Sequence, residues 1–213
     1  MLVVHHLGRS QSERIVWLCE ELGISYDLKV YDRDKVTRLA PPEYKKLHPI
    51  GAAPVIDDGD VRIAESGAIV DYIVAKYGDG RLVLEPNHPD FAQFLYWLHF
   101  ANGTFQPATG RNMILNRLDL PAENPVVTAM KGRLALALGL LDERLTSNQF
   151  LAGAAFTTAD IMIVFTLTTM RLFYAYDLKP YSAILAYLQR IGARPAYQRA
   201  MAKGDPDMAP LLS

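Results

Sequence analysis

Residues 47–56 read LHPIGAAPVI, and residues 64–69 read AESGAI. Pro54 stands just before an apolar strand start, a position where proline is tolerated and where its peptide bond can be cis. A rigid bend at this point is expected to turn the backbone of Val55 outward, so that its N–H and C=O can pair with the peptide group of a ligand. The first part of this stretch therefore predicts a peptide-binding position at the beginning of a strand.

The second part of the stretch predicts a helix that opens on Glu65 and Ser66. Ser66 occupies the expected N-cap, where free N–H groups and the positive end of the helix dipole receive an anion. The neighbouring Glu65 can hold an ammonium group. The corner thus offers backbone pairing, a carboxylate site and an amine site, and glutathione presents the three matching groups.

The composition excludes several classes of function. Half of the 213 residues are hydrophobic and 21% are charged, which is ordinary for a globular chain with a sizeable core. The formal net charge is -1 and the sequence has no basic run, so no general field attracts nucleic acid. The most apolar segment, residues 161–176, is too short to span a bilayer, and no membrane partner is expected.

The single cysteine, Cys19, excludes an intrachain disulfide framework. The first residues lack the charged-then-apolar layout of a signal peptide, and we expect a reducing, cytoplasmic location. Cys19 falls on the apolar stripe of a predicted helix, which indicates an inert core thiol. The five histidines show no metal-binding spacing, so no metal is expected.

Hydrophobic periodicity and turn residues predict a first domain of mixed strands and helices over residues 1–78. The expected order is strand, helix, strand, short helix, strand, strand, helix, which is that of a thioredoxin-like domain. The predicted strands are residues 2–7, residues 26–31, the strand that starts at Pro54 and residues 61–63, and the two long helices are residues 12–22 and 66–77.

Glycine, aspartate and proline mark residues 79–86 as a linker. Residues 87–213 then predict an all-helical domain, in which Thr157 and Asp160 form a capping-box analogue with a structural role. The fold class is therefore α/β plus all-α. The helices of the second domain are expected at about 89–115, 125–146, 158–174, 180–191 and 195–203.

Three further segments, in order along the chain, carry a family resemblance. They read HLGRSQSERI at residues 6–15, APPEYKKLHP at residues 40–49 and FTTADI at residues 156–161. Together with the strand and helix start described above, they resemble the cytosolic glutathione transferase family of the serine type. The middle segment is most similar to a subgroup found in fungi and bacteria.

The resemblance covers the whole chain and implies a transferase with glutathione as its co-substrate. Such an enzyme activates the glutathione thiol for conjugation to small hydrophobic electrophiles in detoxification, and hydroperoxide reduction is a further expected activity. Two other classes stay open at this point. One is a non-catalytic glutathione-binding or regulatory module, and the other is a glutathione-dependent isomerase or dehalogenase.

The resemblance assigns thiol activation to a serine ahead of the first helix. Lowering a thiol pKa by about two units takes roughly 2.7 kcal/mol, and one hydrogen bond to a charged group supplies roughly 1.5–3 kcal/mol. Ser10 is preferred because it lies four residues before Arg14, the spacing of the serine-type loop. Ser12 is the alternative, and its other role is that of a helix N-cap. A third option is that neither serine activates the thiol.

The same resemblance assigns Glu65 and Ser66 to the γ-glutamyl end of glutathione, and the backbone of Val55 to the pairing with its peptide group. His48 either reaches the glycyl carboxylate or is a solvated loop residue. Related sequences often carry Lys or Arg at the position of Ala52 or Ala53, so this chain departs from the family pattern at the glycyl end.

Residues 91–100, FAQFLYWLHF, predict a helix that is apolar on nearly all sides. One packed face does not cover such a helix, so the pattern indicates a second contact surface. Members of the resembled family bury this helix against a partner subunit. We therefore expect a homodimer.

Overall fold

The structure is a computed structural model that describes residues 1–118 and 120–213. The chain divides into two compact units, Met1–Leu82 with Gly192–Pro210, and Val83–Ile191 with Leu211–Ser213. The last helix thus packs with the amino-terminal residues, whereas the sequence grouped it with the helical domain. The domain boundaries 1–78 and 87–213, with a linker at 79–86, stay a prediction.

The first unit contains a mixed β-sheet with the strand order β2-β1-β3-β4. β1 runs parallel to β2 and antiparallel to β3, and β4 returns antiparallel to β3. This topology confirms the thioredoxin-like order predicted from the sequence. The elements are β1 (Leu2–Leu7), α1 (Glu13–Leu22), β2 (Asp27–Tyr31), α2 (Pro42–Lys45), β3 (Val55–Asp58), β4 (Val61–Ala64) and α3 (Ser66–Tyr77).

All regular elements that the structure describes in the second unit are helical, as predicted. None of the helices in the described residues combines the length and the apolar character needed to cross a membrane. The elements are α4 (Phe91–Phe100), a π-helical turn (Ala101–Phe105), α5 (Gln106–Leu115), α6 (Pro125–Ser147), α7 (Thr158–Leu167), a 3-10 turn (Thr169–Leu172) and α8 (Ser182–Gly192).

Two predicted helices are interrupted. The helix expected at about 89–115 contains the π-helical turn, which ends two residues before Pro107, because proline has no N–H to continue the regular hydrogen-bond ladder. The helix expected at 158–174 ends at Leu167, because Thr168 adopts φ −120° and ψ −95°. The Oγ1 of Thr168 donates to the carbonyl of Val164 at 2.8 Å, a local bond that competes with helix continuation.

The last helix, α9 (Pro195–Gly204), packs against α1. The rings of Trp17 and Tyr197 meet edge to face with their centroids 4.9 Å apart. Beside them, the guanidinium of Arg194 donates to both carboxylate oxygens of Glu21 at 2.7 and 2.8 Å. This packing holds the residues that follow α9 close to β1.

The predicted capping box of α7 is confirmed. Thr157 and Asp160 exchange the two expected bonds, with the N–H of Thr157 donating to Asp160 Oδ2 at 2.9 Å. The carboxylate is fully buried and also accepts from the N–H of Leu151 and the hydroxyl of Tyr187, both at 3.0 Å. Burial raises the pKa of Asp160 to about 6, although these hydrogen bonds act in the opposite direction.

This raised pKa predicts a pH-dependent stability. The Asp160 carboxyl binds its proton more tightly in the folded chain than in the unfolded chain, so its contribution is present at low pH and lost as the pH rises towards 6. Relative to Asp160→Asn, we expect the unfolding free energy of the wild type to fall by about 2 kcal/mol between about pH 4.5 and 7.5. Denaturant titrations at both pH values measure this difference, and a difference that stays constant or increases contradicts it.

Candidate functional site

The loop between β1 and α1 carries both candidate serines, and it holds them together. Ser10 is 5% exposed and Ser12 is completely buried. Their hydroxyl oxygens lie 2.7 Å apart, and the N–H of Ser12 donates to Ser10 Oγ at 3.2 Å. The two hydroxyls therefore form one hydrogen-bonded pair just ahead of α1.

Ser12 stands at the N-cap position of α1, but its side chain does not cap the helix. Its Oγ instead accepts from the N–H of Leu7 at 3.1 Å and lies 2.9 Å from His6 Nδ1. The expected capping role of Ser12 is therefore wrong. The reason is that its backbone is helical, φ −68° and ψ −16°, whereas a capping residue is extended.

Arg33 supports the serine loop from the residues that follow β2. Its guanidinium donates to the carbonyls of Gly8, Arg9 and Arg38 at 2.8, 3.2 and 2.9 Å. A cavity of about 420 Å³ opens beside this arginine, with lysine and arginine side chains balanced by aspartates. Through these hydrogen bonds Arg33 stabilises the backbone conformation just ahead of Ser10.

The helix that was predicted to open on Glu65 and Ser66 is present as α3, with one shift in register. Glu65 is the N-cap residue and Ser66 is the first helical residue, so the expected N-cap assignment of Ser66 is wrong by one position. Glu65 is exposed and has φ 74°, a conformation that non-glycine residues rarely adopt and that often marks functional sites. Ser66 is 2% exposed, and its Oγ donates to Gln11 Oε1 at 3.4 Å.

Arg14 connects the serine loop with this helix start. Its NH1 donates to Ser66 Oγ at 3.1 Å and to Gln11 Oε1 at 2.8 Å. The side chain is fully buried, and this burial lowers the pKa of the guanidinium to about 9 while the carboxylate of Glu13 acts to raise it. The structure therefore places a buried cation behind Ser66, where the sequence had used Arg14 only as a spacing marker.

Val55 lies inside the sheet and not on an open edge. It is 1% exposed and pairs with His5 of β1 on one side and with Ala64 of β4 on the other. The backbone of Val55 was expected to turn outward to a ligand. In the structure it does not, because a strand lies on each side of β3 at this residue. The Ala53–Pro54 bond is cis, and Ala53 is the residue just ahead of the paired segment.

The other residues singled out from the sequence are His48 and Cys19, and the sequence also led us to expect no metal site. His48 is half-buried in a turn, and its Nδ1 accepts from the N–H of Ile50 at 3.3 Å. Cys19 is confirmed as a core thiol, and burial raises its pKa to about 12. Within residues 1–118 and 120–213, no group of three or more His, Cys, Asp or Glu residues is placed to hold a metal ion.

Sequence reasoning missed two residues behind the serine pair. The sequence pattern assigned no role to His6 beyond the absence of metal-binding spacing, yet its Nε2 lies 3.1 Å from Asp205 Oδ2 and its Nδ1 lies 2.9 Å from Ser12 Oγ. The two residues are 199 positions apart in the chain. No local pattern could have joined them, because only the packing of α9 brings Asp205 to β1.

Comparisons with known proteins point to one family. The N-terminal domain model of the glutathione S-transferases matches residues 1–75, and their C-terminal domain model matches residues 124–190. Glutathione S-transferase 3 of Schizosaccharomyces pombe is 33% identical over 228 residues, which cover 100% of this chain and 92% of that protein.

Two solved structures show the same architecture. A glutathione S-transferase from Actinobacillus pleuropneumoniae is 32% identical with a TM-score of 0.88, covering 96% of this chain and 93% of its own. A glutathione transferase from Phanerochaete chrysosporium, crystallised with oxidized glutathione, is 25% identical with a TM-score of 0.74, covering 95% of this chain and 94% of its own.

The chain therefore belongs to the glutathione S-transferase family. It is a glutathione transferase, and glutathione is its substrate. The two other classes considered from the sequence, a non-catalytic binding module and an isomerase or dehalogenase, are not favoured by these relatives.

Proposed function

We propose that this glutathione transferase activates the thiol of glutathione with the hydroxyl of Ser10 and delivers the thiolate to a small hydrophobic electrophile. The observation that carries the proposal is the environment of Ser10, which is 5% exposed and hydrogen-bonded to Ser12 just before α1. A hydroxyl that donates to a thiolate at a helix start stabilises the anion directly, so no general base is required.

The γ-glutamyl end of glutathione is assigned to the start of α3. The Ser66 hydroxyl and the first N–H groups of the helix bind its carboxylate, and the exposed Glu65 pairs with its ammonium group. The buried Arg14 supports this assignment, because its NH1 lies 3.1 Å from Ser66 Oγ and adds positive charge behind an anion site. Gln11 connects this corner to the serine loop by its bonds to Arg14 and Ser66.

We assign the peptide group and the glycyl end of glutathione to the residues that precede β3. The sequence assigned the pairing to Val55, and the enclosure of Val55 between β1 and β4 favours the backbone of Ala53, just before the paired segment. His48 is the candidate for the glycyl carboxylate. Its Nδ1 already accepts from Ile50, which leaves Nε2 as the atom that donates to a carboxylate.

Ser66→Ala tests the assignment of the γ-glutamyl site. We expect the variant to bind glutathione about 1–3 kcal/mol more weakly, because it loses a hydrogen bond to a charged group. Isothermal titration calorimetry measures the affinity. Ser182→Ala is the matched control, since Ser182 is exposed and is likewise the first residue of a helix. Wild-type affinity in Ser66→Ala rejects the assignment.

The proposed reaction is tested by turnover of glutathione with a panel of electrophiles. Aryl halides, epoxides and isothiocyanates report conjugation, and organic hydroperoxides report peroxide reduction. We expect conjugation with at least one of these classes, in keeping with a role in cytoplasmic detoxification. If glutathione binds and no member of the panel is converted, the proposed reaction is wrong.

We propose that the enzyme is a homodimer that buries the outer face of α4. Phe94, Trp97 and Phe100 are buried within their own unit, whereas Leu95 and Tyr96 are 37% and 49% exposed. An apolar residue pair on the outer face of a helix favours a second contact surface. Sedimentation equilibrium is expected to give about twice the chain mass of 23.8 kDa. A concentration-independent monomer contradicts the proposal.

A further inference from the structure

A chain of buried polar groups leads from the segment after α9 to the thiol-activating serine. Asp205 Oδ2 lies 3.1 Å from His6 Nε2, His6 Nδ1 lies 2.9 Å from Ser12 Oγ, and Ser12 Oγ lies 2.7 Å from Ser10 Oγ. His6 and Ser12 are completely buried, and Ser10 and Asp205 are 5% and 8% exposed. Gly204 lies against the imidazole, and a Cβ at this position would be only 3.0 Å from His6 Nε2.

The hydrogen-bonding capacity of Ser12 determines how this chain can be arranged. A serine hydroxyl has one hydrogen to donate and two acceptor positions. The N–H of Leu7 donates to Ser12 Oγ at 3.1 Å and fills one acceptor position. A single acceptor position therefore remains for two neighbours, His6 Nδ1 and the Ser10 hydroxyl.

Two arrangements of hydrogens follow, and they differ at Ser10. When His6 Nδ1 carries no proton, it accepts the hydrogen of Ser12, and the Ser10 hydroxyl donates inward to Ser12. When His6 Nδ1 is protonated, it fills the last acceptor position of Ser12, and the hydrogen of Ser12 is donated to the carbonyl of Leu7, 3.3 Å away. Among the described residues, Ser10 then has no other hydrogen-bond acceptor, and its hydroxyl is directed to a ligand.

We propose that His6 and Asp205 are positioning residues that hold a proton on His6 Nδ1 and thereby direct the Ser10 hydroxyl to the sulfur of glutathione. The inference rests on the proposed role of Ser10. Asp205 acts through His6, since its Oδ2 faces Nε2 while its Oδ1 accepts from the N–H of Arg9 at 2.8 Å. A carboxylate in this position stabilises the doubly protonated ring.

Of the two side chains that hydrogen-bond to the imidazole in the described residues, Asp205 is the one that can carry a charge. β2 places the apolar Val30 opposite His6, and the residues before α1 contribute the hydroxyl of Ser12. Arg33, which follows β2, interacts electrostatically with Asp205. This carboxylate acts to raise the pKa of the Arg33 guanidinium, whereas burial has the larger effect and lowers it.

The first experiment measures the thiol pKa of bound glutathione from the pH dependence of its thiolate absorbance. Asp205→Asn is expected to raise this pKa by about one unit, which is about tenfold less thiolate near neutral pH. Glutathione affinity, measured by calorimetry, should change far less. If His6 is neutral in the wild type, removing a nearby negative charge lowers the thiol pKa instead. A lowered or unchanged pKa overturns the proposal.

Asp57→Asn is the matched control. Asp57 Oδ2 faces His5 Nε2 at 3.1 Å, so this variant also breaks a His–Asp pair, here between β1 and β3, and no hydrogen bond joins this pair to the two serines in the described residues. The thiol pKa of glutathione bound to Asp57→Asn is expected to equal that of glutathione bound to the wild type. A shift in Asp57→Asn as large as that in Asp205→Asn would indicate a general effect on the sheet and would overturn the proposal.

The same titration in a Ser10→Ala background separates this inference from the proposed function. If Asp205 acts through Ser10, adding Asp205→Asn to Ser10→Ala gives no further shift, whereas a full additional shift overturns the inference. If Ser10→Ala alone leaves the thiol pKa unchanged, the role of Ser10 fails and the inference fails with it. If Ser10→Ala raises the pKa and Asp205→Asn does not, only the inference fails.

A measurement on the unaltered protein covers the case in which Asp205→Asn does not fold. Nitrogen-15 NMR of the histidine side chains distinguishes protonated from unprotonated ring nitrogens. We expect both nitrogens of His6 to carry a proton at neutral pH. An unprotonated Nδ1 overturns the proposal.

Discussion

Ser10→Ala is expected to lower turnover with glutathione about ten- to hundredfold near neutral pH. One hydrogen bond to a charged acceptor is worth about 1.5–3 kcal/mol, and its loss raises the thiol pKa of bound glutathione. Glutathione affinity should change much less, because the ends of the tripeptide are assigned to other residues. Steady-state kinetics and the pH titration of the thiolate absorbance measure both effects.

Ser12→Ala provides the contrast. In the proposed arrangement the Ser10 hydroxyl does not donate to Ser12, so Ser12→Ala leaves this hydroxyl available to the thiolate and the thiol pKa of bound glutathione should change little. The buried N–H of Leu7 and the ring of His6 lose their shared partner, which costs about 1–3 kcal/mol of stability. If Ser12→Ala raises the thiol pKa and Ser10→Ala does not, the two serines have been assigned the wrong way round. If neither moves it, the serine-type mechanism fails.

Trp17→Ala is expected to reduce the unfolding free energy by about 3–5 kcal/mol, the usual cost of removing a large buried aromatic side chain. Trp17 is 2% exposed and packs edge to face on Tyr197, and its Nε1 donates to Glu21 Oε1 at 2.9 Å. Glu21 in turn holds Arg194. Denaturant unfolding measures the loss.

Trp17→Phe is the control, because it keeps a ring against Tyr197 and should lose much less stability. Because the same packing holds α9, the alanine variant should also weaken the contact between Asp205 and His6. A loss below about 1 kcal/mol in Trp17→Ala would contradict the view that the α1–α9 contact stabilises the first unit.

Several features were predictable from the sequence because their causes are local. The helix that opens at Glu65 and Ser66 follows from a turn residue next to an apolar periodic run, and it appears within one position. The capping box at Thr157 and Asp160 spans four residues and is present as expected. Cys19 lies on the apolar face of an amphipathic helix, and such a face is buried.

The errors have physical causes that a linear pattern does not contain. Ser12 is at the right place for a cap, but His6 and Leu7 take up its hydroxyl. Val55 begins a strand as predicted, but the strand runs between two others, and its register encloses the backbone that was expected to face a ligand. Pro107 interrupts a strongly apolar helical pattern that otherwise looks continuous.

The sequence by itself determined the thioredoxin-like and helical architecture, the family and the helix start at Glu65 and Ser66, because periodicity, turns and caps act over a few residues. The tertiary structure alone decided what surrounds the serines. It buried Arg14 behind Ser66, and by packing α9 on α1 it brought Asp205 to His6 across 199 positions of chain. Contacts of this kind depend on how distant elements pack, and no local preference of the backbone specifies them.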